Sequence, residues 1–153
     1  RVMAICAAAK TPLTIITTDP NGIHAPFGAV VTARANADDA ERQRILTNAR
    51  VVLSASEDES VWLAGVEALA AGTPVVFPTG LKSVAAILTG PAAIAYNADN
   101  DAVSAIHHFT DMSDDAFAGL SDEARAAASR VGFTRAAFSR AFTAALETVG
   151  VAP

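Results

Sequence analysis

The sequence predicts an α/β domain: a parallel sheet covered by helices on both faces. Three observations lead there. Short apolar runs alternate along the chain with longer stretches of helical period. Those runs are apolar on both faces, as strands buried from both sides must be. The chain has 153 residues, 52% hydrophobic and 18% charged, which suits one ordered domain with a real core and excludes a disordered chain.

The opening "RVMAICAAAK" reads as a helix leading into "LTIITT" (13–18), a strand stopped by the turn "DPNG". "GAVVTA" (28–33) is the next strand. "DDAERQRILTNA" (38–49) is a helix with a charged outer face, and "RVVLSAS" (50–56) a strand. "SVWLAGVEALAAG" (60–72) has helical period, with Gly72 placed as its C-terminal stop. "PVVFP" (74–78) is a strand, "LKSVAAILTG" (81–90) a short helix and "AAIAY" (92–96) the last strand; helices follow over 100–110, 114–132 and 134–150. The link from Thr18 to Gly28 is short for a crossover helix, because a βαβ crossover takes at least about 10–12 residues. The first two strands are therefore either antiparallel or joined by an abbreviated crossover.

Composition narrows the function. A formal net charge of −5 argues against the basic face that a nucleic-acid partner needs. The single cysteine, Cys6, lies among apolar residues and reads as a small core residue. No apolar run reaches the roughly 18–20 residues of a membrane span, and a cytoplasmic setting is expected. No phosphate loop, no G-x-G-x-x-G and no metal-ligand spacing of Cys and His is present, so neither a metal nor a cofactor is expected. His107 and His108 are adjacent on a helix and point apart. His24 sits in a Pro/Gly loop.

The chemistry concentrates in one segment. Between Glu59 and Lys82 the only charge is Glu67, in a stretch built of Ala, Val, Leu, Gly and Trp. An ionised carboxylate in apolar surroundings is costly unless paired or hydrogen-bonded. Glu59 follows a strand; Glu67 lies about two turns into the next helix. Ser60 is placed to cap that helix, and the amides of Val61, Trp62 and Leu63 would form its first turn, where free N–H groups attract anions. Two carboxylates flanking such a turn suit a ligand that carries both hydroxyls and phosphates. The plain alternative is a glutamate on the wet edge of an Ala-rich helix.

The string Ser56-Glu57-Asp58-Glu59, seven further residues, then "EALAAGTPVV" (67–76) resembles the donor-binding, C-terminal domain of GT-B retaining glycosyltransferases of the family 4 type. In that family a strand ends in a serine three residues before a glutamate, and a second glutamate opens E-A-x-A-x-G-T-P-V-V. A weaker likeness runs from about Ala37 to Phe142. The resemblance implies a Rossmann-like fold that binds a nucleotide-diphosphate sugar and transfers the sugar to an acceptor, without an essential metal. It implies that Glu67 binds the ribose hydroxyls and that Glu59 contacts the donor sugar as the catalytic carboxylate. The backbone of Ser60, Val61, Trp62 and Leu63 would approach sugar and diphosphate, while Gly72, Thr73 and Pro74 would be structural.

The likeness also has departures. The family has Gly where this chain has Ser60 and Trp62, and often Glu near Ser83. Its glycine-rich loop and the cations that grip the diphosphate have no counterpart; Lys10, on the first helix, does not match them, and Arg1 has no assigned place. The chain (1–153) thus reads as one nucleotide-sugar-binding domain, a fragment lacking the first strand and the N-terminal acceptor-binding domain, through which any membrane contact would pass. Two alternatives stand beside it. One is a non-catalytic binding or scaffold domain of the same fold. The other is a dinucleotide-binding oxidoreductase fragment, with Asp19 as the ribose acceptor at a strand end.

Overall fold

A computed structural model describes residues 1–17, 19–24, 30–59, 62–81, 85 and 88–131. The elements, in order, are α1 (Val2–Ala8), β1 (Leu13–Thr17), a 3-10 turn (Pro20–Gly22), β2 (Val31–Ala35), α2 (Asp39–Asn48), β3 (Val52–Leu53) and α3 (Leu63–Ala71). After them come β4 (Val75–Pro78), β5 (Ala93–Tyr96), α4 (Asp99–Thr110) and α5 (Asp114–Val131). The architecture is mixed α/β, with parallel sheets flanked by helices, and is compatible with a Rossmann-like fold.

Local chemistry explains the boundaries. Asp38 caps α2: its carboxylate accepts from the Glu41 amide at 2.8 Å, which satisfies one of the free first-turn donors. Gly72 ends α3 in the left-handed region at φ +89°, where a Cβ is penalised. The Arg125 guanidinium of α5 lies over that glycine and donates to the Ala71 carbonyl at 3.4 Å. The Asp101 carboxylate accepts from the Ala98 amide at 2.9 Å and fixes the entry to α4.

Among the described residues all strand pairs are parallel. β1 runs beside β2 in register from Leu13↔Val31 to Thr17↔Ala35. β3 pairs with β4, and β4 with β5, from Val75↔Ala93 to Pro78↔Tyr96. This removes the antiparallel option for the first two strands. The single sheet expected from the alternation is corrected: the described strands form a two-stranded sheet, β1–β2, and a three-stranded sheet in the order β3–β4–β5. Strand periodicity reports that a segment is buried, not which edges meet.

Other boundaries move too. β2 begins at Val31 and not at Gly28, and Gly28 itself lies outside the described residues. The 50–56 strand contracts to Val52–Leu53. The strands at 74–78 and 92–96 and the helices at 38–49, 100–110 and 114–132 stand within a residue or two of their expected limits. Half of the 81–90 helix and all of the 134–150 helix lie outside the described residues.

The core gathers around β4, buried along its whole length, with Phe77, Leu69, Leu81, Tyr96, Ile106 and Phe109 all at 2% exposure or less. α3 packs on α5 and on α2, while α1 packs on α4, which lies against β4 and β5. Two buried hydroxyls tie these layers. Thr73 donates to the Leu46 carbonyl at 2.6 Å, joining the turn after α3 to the end of α2. Tyr96 donates to the Ser54 carbonyl at 2.9 Å, joining β5 to the carboxyl end of β3. Cys6 is buried, and desolvation pushes its thiol pKa up.

Candidate functional site

In open parallel α/β sheets, ligands bind beyond the carboxyl ends of the strands. Beyond β3 the chain turns through Ser54, whose hydroxyl accepts from the Ser56 amide at 3.1 Å. It then passes Glu57, Asp58 and Glu59 before entering α3 at Leu63. Glu59 is half-buried in this turn. Ser60 and Val61 lie outside the described residues.

The start of α3 differs from the expectation. The helix begins at Leu63 and not at residue 60; Trp62 is the N-cap residue, and its side chain makes no capping hydrogen bond. The first intrahelical bonds run from Gly65 N and Val66 N to the Trp62 carbonyl, at 3.1 and 3.3 Å. The physical reason lies in Trp62. Its indole folds inward to 7% exposure and packs on Phe77 with ring centroids 6.1 Å apart. It also covers Gly65, where an added Cβ would stand 2.4 Å from Cε3 of the ring. Burying that ring fixes the chain at 62 and starts the helix just beyond it. The amides of Leu63 and Ala64 are the described first-turn donors, and Trp62 is part of the core.

Glu67 lies in the second turn, and its carboxylate is not buried: the side chain is 48% exposed. That resolves the apparent cost of a charge in an apolar segment, since Gly65, Ala68, Leu69 and Ala71 face inward and the charge faces out. Leu63 stands four residues earlier, hence on the same face of α3, and is 58% exposed. α3 therefore presents an open face on which a bare leucine and an acceptor carboxylate sit one turn apart. Arg42 of α2 approaches that carboxylate, with Nε 3.9 Å from Oε2.

Sequence reasoning left Arg1 unplaced. It reaches the carboxyl ends of the three-stranded sheet, where its guanidinium pairs with Glu57 and with Asp99, the latter at 2.8 Å from Nε. It also stands 5.7 Å from the centre of the Tyr96 ring. The Asp99 hydrogen bond raises the Arg1 pKa further. Beside this cluster the Thr79 hydroxyl donates to Asn97 Oδ1 at 2.6 Å. The available signal was positional: Glu57, Thr79, Asn97 and Asp99 each follow a strand within a few residues, where ligand-facing groups sit.

The remaining candidates have local roles. Asp19 Oδ1 accepts from the amides of Asn21 and Gly22 at 3.0 and 3.2 Å, so this acceptor is engaged in its own turn. His107 Nε2 meets the Ala9 carbonyl at 2.9 Å, tying α4 to the end of α1; His108 packs edge-on against Phe109. Thr73 and Gly72 are structural, as described. Among the described residues no group of three or more His, Cys, Asp or Glu side chains is placed to hold a metal ion, and no helix is long and apolar enough to cross a membrane. No protein-family model, no curated protein and no solved structure matches the chain.

Proposed function

We propose that this chain is the donor-binding part of a glycosyltransferase, which holds a nucleotide-diphosphate sugar while an acceptor domain presents the receiving hydroxyl. The observation that carries the reading is the open face of α3. Glu67, which opens the E-A-L-A-A-G-T-P-V-V string, and Leu63, four residues before it, stand there on the helix that follows β3. An ionised carboxylate accepts from two vicinal hydroxyls, and an exposed leucine one turn away offers apolar contact to a sugar ring. The first-turn amides of Leu63 and Ala64 suit the phosphates. Glu59 addresses the donor sugar as the catalytic carboxylate, with Ser60 and Val61 beside it. No metal or cofactor takes part in this scheme, and the setting is cytoplasmic.

The test is calorimetric titration with uridine, guanosine and adenosine diphosphates and their glucose conjugates. A hydrogen bond to a charged group contributes about 1.5–3 kcal/mol, so Glu67→Ala should weaken binding of the preferred nucleotide by roughly 10- to 150-fold. Glu59→Ala should spare the bare nucleotide and weaken only the sugar conjugate. Binding of none of these compounds, or binding unchanged by Glu67→Ala, would overturn the reading.

A second reading, binding without turnover, is favoured by Arg1. This cation at the strand ends is tied to Glu57 and Asp99 and is not presented to a phosphate. Under that reading a protein that includes its acceptor domain binds the donor and transfers nothing.

A further inference from the structure

Arg42 is held before it reaches Glu67. Its Nη2 donates to Asp39 Oδ1, three residues earlier in α2, at 2.8 Å, in a turn that the Asp38 cap already fixes. The same guanidinium then points Nε at Glu67 across the α2–α3 contact, 3.9 Å from Oε2. That distance is too long for a hydrogen bond yet short enough for charge attraction. Arg42 therefore orients the carboxylate while its acceptor lone pairs stay open to a ligand. A carboxylate at the end of three free side-chain torsions would lose that orientation.

We propose that Arg42 is a positioning residue: it aims the Glu67 carboxylate at the hydroxyl pair of a ribose, so the site prefers ribonucleotides over their deoxy counterparts. The inference rests on the assignment of Glu67 made above. It adds a residue from a different helix and a specificity that follows from it.

The experiment compares uridine, guanosine and adenosine diphosphates with their 2′-deoxy forms, titrated into the full chain. The readout is the ratio of deoxy to ribo Kd. An exposed ion pair has a modest coupling, so Arg42→Ala should narrow the ratio about 2- to 5-fold. Arg42→Lys, which keeps the charge, should preserve most of it. In a Glu67→Ala background, Arg42→Ala should change the ratio no further. Arg42→Gln keeps the apolar stem to Cδ while removing the charge, and serves if the alanine variant unfolds. A ratio unchanged in folded Arg42→Ala and Arg42→Gln, while Glu67→Ala collapses it, overturns the role of Arg42 alone. A ratio unchanged in Glu67→Ala overturns the ribose assignment, and this inference with it.

Discussion

Trp62 sets the start of α3 through its side chain. A tryptophan at the entrance of an apolar helix can face water or the core. This ring turns inward, because Gly65 leaves room for it three residues later and Phe77 completes its cage. The signal was present as the W-x-x-G spacing, yet it could be read only with the direction of the side chain in hand. Gly65→Ala tests the packing. The new methyl would strike a buried ring atom at 2.4 Å, and overpacking costs about 1–3 kcal/mol. That outweighs the ~1 kcal/mol by which alanine is the better helix former. Urea melts should show lower stability, and Trp62 emission should move to longer wavelength as the indole is pushed toward water. An unchanged spectrum and midpoint would place the indole elsewhere. Glu67→Ala should do the opposite, leaving stability within about 0.5 kcal/mol as an exposed substitution does, so its effect on ligand is separable from its effect on fold.

At the scale of elements, what was legible was what local chemistry dictates. Gly72 after an apolar helix marks the end of α3 because a left-handed residue acts within a few positions of itself. The buried run "PVVFP" gave β4 to within a residue because it is apolar throughout. The start of α3 was not legible, since it depends on a contact with Phe77 from another strand. Nor was the pairing of Arg42 with Glu67, which joins two helices. Gly72→Ala tests the stop. At φ +89° a Cβ costs roughly 1–2 kcal/mol, and here it would also meet the Arg125 guanidinium at 2.6 Å. Thermal and urea unfolding should show a loss of at least that size. A neutral result would mean that α3 ends without the left-handed residue.

At the scale of the whole molecule, burial is uneven. β4 is buried throughout, whereas β1 and β2 are only half-buried or exposed, with Ile16 39% exposed and Val30, just before β2, 64% exposed. A two-stranded parallel pair covered this lightly should open more readily than the centre of a three-stranded sheet. Amides of β1 and β2 should therefore exchange with deuterium well before those of Val75 to Phe77; equal protection in both sheets would contradict this. Alkaline pH addresses the core as a unit. Burial raises the thiol of Cys6 above its ordinary 9.0. It likewise raises the phenol of Tyr96 above 10.0, against the downward pull of Arg1. Both groups are neutral when protonated, so the folded state holds these protons more tightly than the unfolded chain. The contribution of these two groups to stability is then constant below pH 8 and falls as pH rises past 9, because the unfolded chain releases protons that the folded one retains. Cys6→Ala should remove the earlier part of that fall, and Tyr96→Phe the later part. Tyr96→Phe should also cost about 1–3 kcal/mol at neutral pH, because the Ser54 carbonyl loses its buried donor. Urea midpoints measured from pH 7 to 10.5 separate the two contributions. A midpoint that stays flat to pH 10.5 would show that neither group is shielded from water in the folded chain.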